Sequence, residues 1–97
     1  MMNEAVSFNE TLIAALEKLA AKKLTNRKDL AAWKLAAEKL EQGLTPEQAD
    51  SVPHFVWHYL GDADIRLRNA SYRKDQERRL ERVIRELGPR SHRPGGR

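Results

Sequence analysis

His54 and His58 stand four residues apart in the segment HFVWHYLGDAD, and Asp62 or Asp64 follows about a turn further along. On a helix that spacing puts both imidazoles on one face. Two imidazoles and a carboxylate are a donor set that Zn²⁺ accepts, and the same trio can move protons near neutral pH. The segment departs from the metalloprotease pattern HExxH, because Phe55 stands where the catalytic Glu would be. A plainer reading competes. Residues 54–60 hold Phe55, Trp57 and Tyr59, three of the six aromatics, so the stretch reads as the apolar centre of a small domain with its histidines at the edge. A third reading is a surface that takes a partner or a second copy of the chain.

The other chemistry is cationic. Residues 1–65 carry a net charge of −3, with six Lys and one Arg. Residues 66–97 carry +7, with ten Arg and one Lys. Placed on a helix at about 100° per residue, residues 69–87 centre their apolar face on Leu80 and Leu87. Lys74, Arg78, Arg82 and Arg85 then fall on the opposite face. Four cations at one-turn spacing can follow a phosphate backbone, joined by Arg90, Arg93 and Arg97 of the tail. Such contacts would carry little base readout. An acidic protein offers the same complementarity, as does an anionic membrane surface. The plainer reading is helix support, with Asp75–Arg79 and Glu81–Arg85 as favourable pairs four residues apart. No zinc-finger, homeodomain, RNP or KH signature accompanies the ridge.

Lys22, Lys23, Arg27 and Lys28 form a second basic cluster. It borders a predicted helix start, whose free N–H groups can face an anion. A solvated turn accounts for it as well. The helix opened by Thr45 is too short to lie in a DNA groove, so a helix-turn-helix is not read there.

Several classes are excluded. The chain has no cysteine, which removes disulfides, thiolate zinc sites, iron–sulfur clusters and cysteine nucleophiles and fits a reducing, cytoplasmic setting. No apolar run approaches the ~18–20 residues of a membrane span, and no secretory leader is read at the start. There is no glycine-rich phosphate loop and no nucleophile elbow. Ser7, Ser51 and Ser71 each have a capping or turn role available. The expectation is a non-enzymatic binding or adaptor protein without a cofactor.

The elements that must position these groups are helices. Ser7 to Glu10 reads as a capping box before a helix with Phe8, Leu12, Leu16 and Leu19 on one face. Thr25 or Asn26 caps a second helix with Leu30, Trp33, Ala37 and Leu40 in its stripe, and Gly43 stops it in a left-handed turn. Thr45-Pro46-Glu47-Gln48 opens a short third helix. Pro53 leads into a fourth, and Asp62 is placed to cap a further turn through ADIRLR. Asn69 or Ser71 starts the last helix, with one unbroken helix over 62–87 left open because no Pro or Gly interrupts it. These readings give an all-α bundle of four to five helices, with a long basic C-terminal helix. Residues 1–6 are expected to be flexible, 7–88 to form one domain, and the Gly/Pro/Arg-rich 89–97 to be a disordered tail. The expected core is Leu12, Leu16, Leu19, Leu30, Trp33, Leu40, Phe55, Trp57, Leu60, Ile65, Leu80, Ile84 and Leu87. A core this small can also be completed by a homodimer partner across residues 53–60.

Overall fold

Asn26, Thr45 and Asn69 each turn a side-chain oxygen onto a backbone N–H three residues ahead, and a helix follows each of them. This is the N-cap geometry that satisfies one of the free donors at a helix start. The computed structural model describes residues 4–88 and folds them into six helices. They are α1 (Glu4–Ala21), α2 (Arg27–Gln42), α3 (Pro46–Ser51), α4 (His54–Gly61), α5 (Ala63–Arg68) and α6 (Ala70–Leu87). No strand occurs among the described residues. The all-α architecture read from the sequence is the one observed, with six helices among the described residues where four to five were expected.

The caps are reciprocal where the sequence allows it. The Thr45 hydroxyl accepts from the Gln48 N–H at 3.1 Å, and the Gln48 side chain accepts from the Thr45 N–H at 3.0 Å. At α2, Asn26 accepts from the Asp29 N–H at 2.8 Å, while the Asp29 carboxylate accepts from the N–H and hydroxyl of Thr25 at 3.0 and 2.6 Å. Those bonds favour the ionised acid, so they hold the Asp29 carboxyl below its ordinary value.

Three local expectations change, and one alternative left open by the sequence drops out. Helix α1 begins at Glu4, so Ser7 lies inside it and does not open it, and residues 4–6 are helical. Gly43 ends α2 in the right-handed region (φ −80°, ψ −5°), so its left-handed freedom is not used. Residues 62–87 are not one helix, because Asn69 is extended (φ −134°, ψ 107°) and gives its side chain to the N–H of Tyr72. Asp62 makes no side-chain cap to α5. Its carboxylate is bonded elsewhere, as described below. Residues 1–3 and the tail 89–97, with Arg90, Arg93 and Arg97, lie outside the described residues.

The core lies where α1, α2, α4, α5 and α6 meet. Helix α6 packs on α1, α4 and α5, and α2 packs on α1, α4 and α5. Leu12, Leu16, Leu19, Trp33, Leu60 and Leu80 are buried as expected. Ala37, Val52, Val56, Tyr59 and Ala63 join them. Leu30, Leu40, Phe55, Trp57, Ile84 and Leu87 are only partly buried around this centre, and Ile65 is half-buried. In α4 the centre is held by Val56, Tyr59 and Leu60, so the helix turns Phe55 and Trp57 to the margin. Trp33 donates its indole N–H to the Leu19 carbonyl at 2.9 Å. That bond satisfies the one polar atom of a side chain only 1% exposed.

Candidate nucleic-acid interface

The inner face of α6 fixes its outer face. Gln76 and Leu80 are buried, and Val83, Ile84 and Leu87 are half-buried against the bundle. Lys74, Arg78, Arg82 and Arg85 are all exposed. At about 1.5 Å per residue the row spans roughly 16 Å of helix. Asp75 pairs with Arg79 at 3.3 Å, on the flank of the ridge. The other expected pair, Glu81 with Arg85, does not close. None of the four ridge cations is ion-paired among the described residues. The first turn of α6 holds no acid, and Arg73 and Lys74 follow it near the positive end of the helix dipole. Cations at that end gain nothing from the helix dipole, whereas Arg85 in the last turn does.

The flank toward α1 is different. A shallow groove there is lined by Ala20, Ala21, Leu80 and Ile84, with Glu17, Glu77 and Glu81 and the ridge's own Arg85 around it. The cationic surface is therefore a stripe with an acidic edge. Lys22, Lys23, Arg27 and Lys28 are exposed beyond the end of α1, as an ordinary polar turn would leave them.

One residue of the basic C-terminal third does not belong to this surface. Arg66 is 2% exposed. Its guanidinium carbon lies 4.0 Å from the Tyr59 ring centre and 4.7 Å from that of Trp33. Aromatic faces attract a cation in this position. Nη1 donates to the Tyr59 carbonyl and to the Gln76 side-chain oxygen, both at 2.6 Å, while Nη2 is buried without a partner. Burial pulls the Arg66 pKa downward, opposed by the charges around it. Gln76 passes the network outward, donating to Asp62 at 3.2 Å, and the Tyr72 hydroxyl donates to the same Asp62 oxygen at 2.5 Å. The Asp62 bond, with burial next, pushes the Tyr72 phenol up, whereas for Tyr59 burial is the main cause. This chain of bonds ties α4, α5 and α6 together under the ridge. Sequence reasoning missed Arg66. The signal was Gln76, a polar residue in the apolar stripe of α6, which a buried polar partner explains.

The proposed trio of His54, His58 and Asp62 is not assembled, because Tyr72 and Gln76 hold the Asp62 carboxylate. No group of three His, Cys, Asp or Glu side chains that could hold a metal occurs among the described residues. His54 and His58 do meet. Both are exposed, and their Nε2 atoms lie 3.1 Å apart. No helix among the described residues is long and apolar enough to cross a membrane.

Comparison with known protein families, with curated proteins and with solved structures returns no match.

Proposed function

We propose that this chain is a non-enzymatic binding protein whose α6 face takes up the phosphate backbone of a nucleic acid. The observation that carries the reading is the row Lys74, Arg78, Arg82 and Arg85, four exposed cations on one helix face, none of them in an ion pair among the described residues. A phosphate backbone presents charges in a row, and their counterions are released when such a stripe lands on it. The acids along the α1 side would orient the stripe, because Glu17, Glu77 and Glu81 repel phosphate from that edge.

The alternative is an acidic protein that uses the same cations. Competition separates the two. On labelled duplex or single-stranded DNA, unlabelled DNA should displace the probe at far lower charge concentration than poly-glutamate does. Equal displacement by both polymers would favour the protein partner. Failure of the probe to bind at low salt would end the nucleic-acid reading. The homodimer reading has less support, since Val56, Tyr59 and Leu60 of the aromatic segment fill the chain's own core.

A further inference from the structure

We infer that His54 and His58, two exposed side chains of α4, form a two-imidazole chelate for a late first-row divalent cation. Both residues belong to α4 and are four apart, so one helix backbone sets their separation. Both rings are exposed, and they meet edge to face with centroids 4.8 Å apart. The atoms that approach are the two Nε2 nitrogens, at 3.1 Å. Nitrogens at that separation, each at the ~2.05 Å usual for zinc and imidazole, subtend about 98° at a shared ion. That angle falls between the octahedral and tetrahedral values, and to reach it each exposed ring turns its Nε2 lone pair from its neighbour toward the ion. Without a metal, the two Nε2 atoms lie within hydrogen-bond distance, with donor and acceptor set by the tautomers. Metal binding replaces this single bond with two coordinate bonds.

The donor set chooses the ion. Neutral imidazoles suit Cu²⁺, Ni²⁺ and Zn²⁺, and the hard Mg²⁺ and Ca²⁺ prefer oxygen. The order should be Cu²⁺ above Ni²⁺ and Zn²⁺, with Mg²⁺ absent. No third side chain completes the site among the described residues. The remaining coordination positions are therefore open to water or to an outside ligand, and affinity should be moderate.

The test is calorimetric titration of the full chain with CuCl₂, NiCl₂ and MgCl₂ in a non-coordinating buffer. His92 of the tail is controlled by His92→Ala. Cu²⁺ and Ni²⁺ should bind and raise the Tm, and His92→Ala should leave both effects in place. Either His54→Gln or His58→Gln should weaken binding at least about tenfold, because the second ligand no longer acts at high effective concentration. Both substitutions are on exposed side chains, so the metal-free Tm should stay near that of the parent and report that the fold is intact. Undiminished Cu²⁺ and Ni²⁺ binding in the double His54→Gln/His58→Gln variant would overturn the assignment. So would binding of Mg²⁺ as tight as that of Ni²⁺, or loss of the signal in His92→Ala alone.

Discussion

The guanidinium of Arg66 donates to the side-chain oxygen of Gln76 at 2.6 Å inside the bundle. This bond joins α5 to α6 where a core would ordinarily be apolar. The cation has two aromatic faces and two oxygen acceptors, but no carboxylate in direct contact and one unsatisfied nitrogen. Its partners recover part of the cost of burying charge, and its packing fills space that α4, α5 and α6 share.

Arg66→Ala should therefore lower unfolding stability by about 3 kcal/mol, through a cavity and two stranded acceptors. Arg66→Met keeps most of the volume and should cost less than half as much. Urea denaturation of the three proteins checks this. An Arg66→Ala loss under about 0.5 kcal/mol would mean that the side chain is not the internal brace described here.

The chain has two tyrosines, Tyr59 and Tyr72, and both phenols are held above their ordinary value. A raised phenol pKa stabilises the folded state fully below the unfolded value near 10, and that contribution is lost as pH rises through the folded values. Ultraviolet titration of the native protein should thus ionise both tyrosines above the range seen in urea. Stability should begin to fall above about pH 10. Tyr72→Phe should remove one of the two late phenols, and Asp62→Asn should bring Tyr72 back toward the ordinary value.

Asp29 predicts the opposite limb. Its carboxyl is held below 3.8 by the Thr25 bonds. The stability it lends is present above that value and lost as pH falls through the lowered one. Acid unfolding of Asp29→Asn should be less steep than that of the parent in this window, with the midpoint followed by circular dichroism.

The break before α6 depends on Asn69. Asn69→Ala removes the bond to the Tyr72 N–H and should cost about 1 kcal/mol. Asn69→Asp, which keeps an acceptor and places a negative charge at the helix start, should match or exceed the parent in a thermal melt.

Helix existence and order were legible because caps and stripes are local signals. Thr45-Pro46-Glu47-Gln48 specifies its helix within four residues, and Asn26 and Asn69 do nearly as much. The exposed ridge was legible for the same reason, since the period of α6 places its cations once Leu80 faces inward. Less could be read where partners are distant in sequence. Asp62 looked like a cap or a ligand, yet it serves Tyr72 and Gln76, ten and fourteen residues away. Arg66 looked like one more surface charge until α2 and α4 brought Trp33 and Tyr59 onto it. In α4, length and hydrophobicity pointed to Phe55 and Trp57 as core anchors. The packing chose Val56, Tyr59 and Leu60 instead, because α2, α5 and α6 meet that side of the helix.

The proposed role of the α6 stripe is phosphate binding. Its most direct test is fluorescence anisotropy of a labelled duplex of arbitrary sequence at 50 and 200 mM salt. The parent, a Lys74/Arg78/Arg82/Arg85→Gln variant and a chain ending at Gly88 would be compared. Four phosphate contacts predict that the parent loses about 10²-fold in affinity across that salt range. The Gln variant should keep the parent's Tm, bind far more weakly and show a much flatter salt slope. The chain ending at Gly88 should retain most of the binding. No binding of the parent at 50 mM salt, or a Gln variant that binds with the parent's affinity and slope while the shortened chain does not bind, would contradict the account.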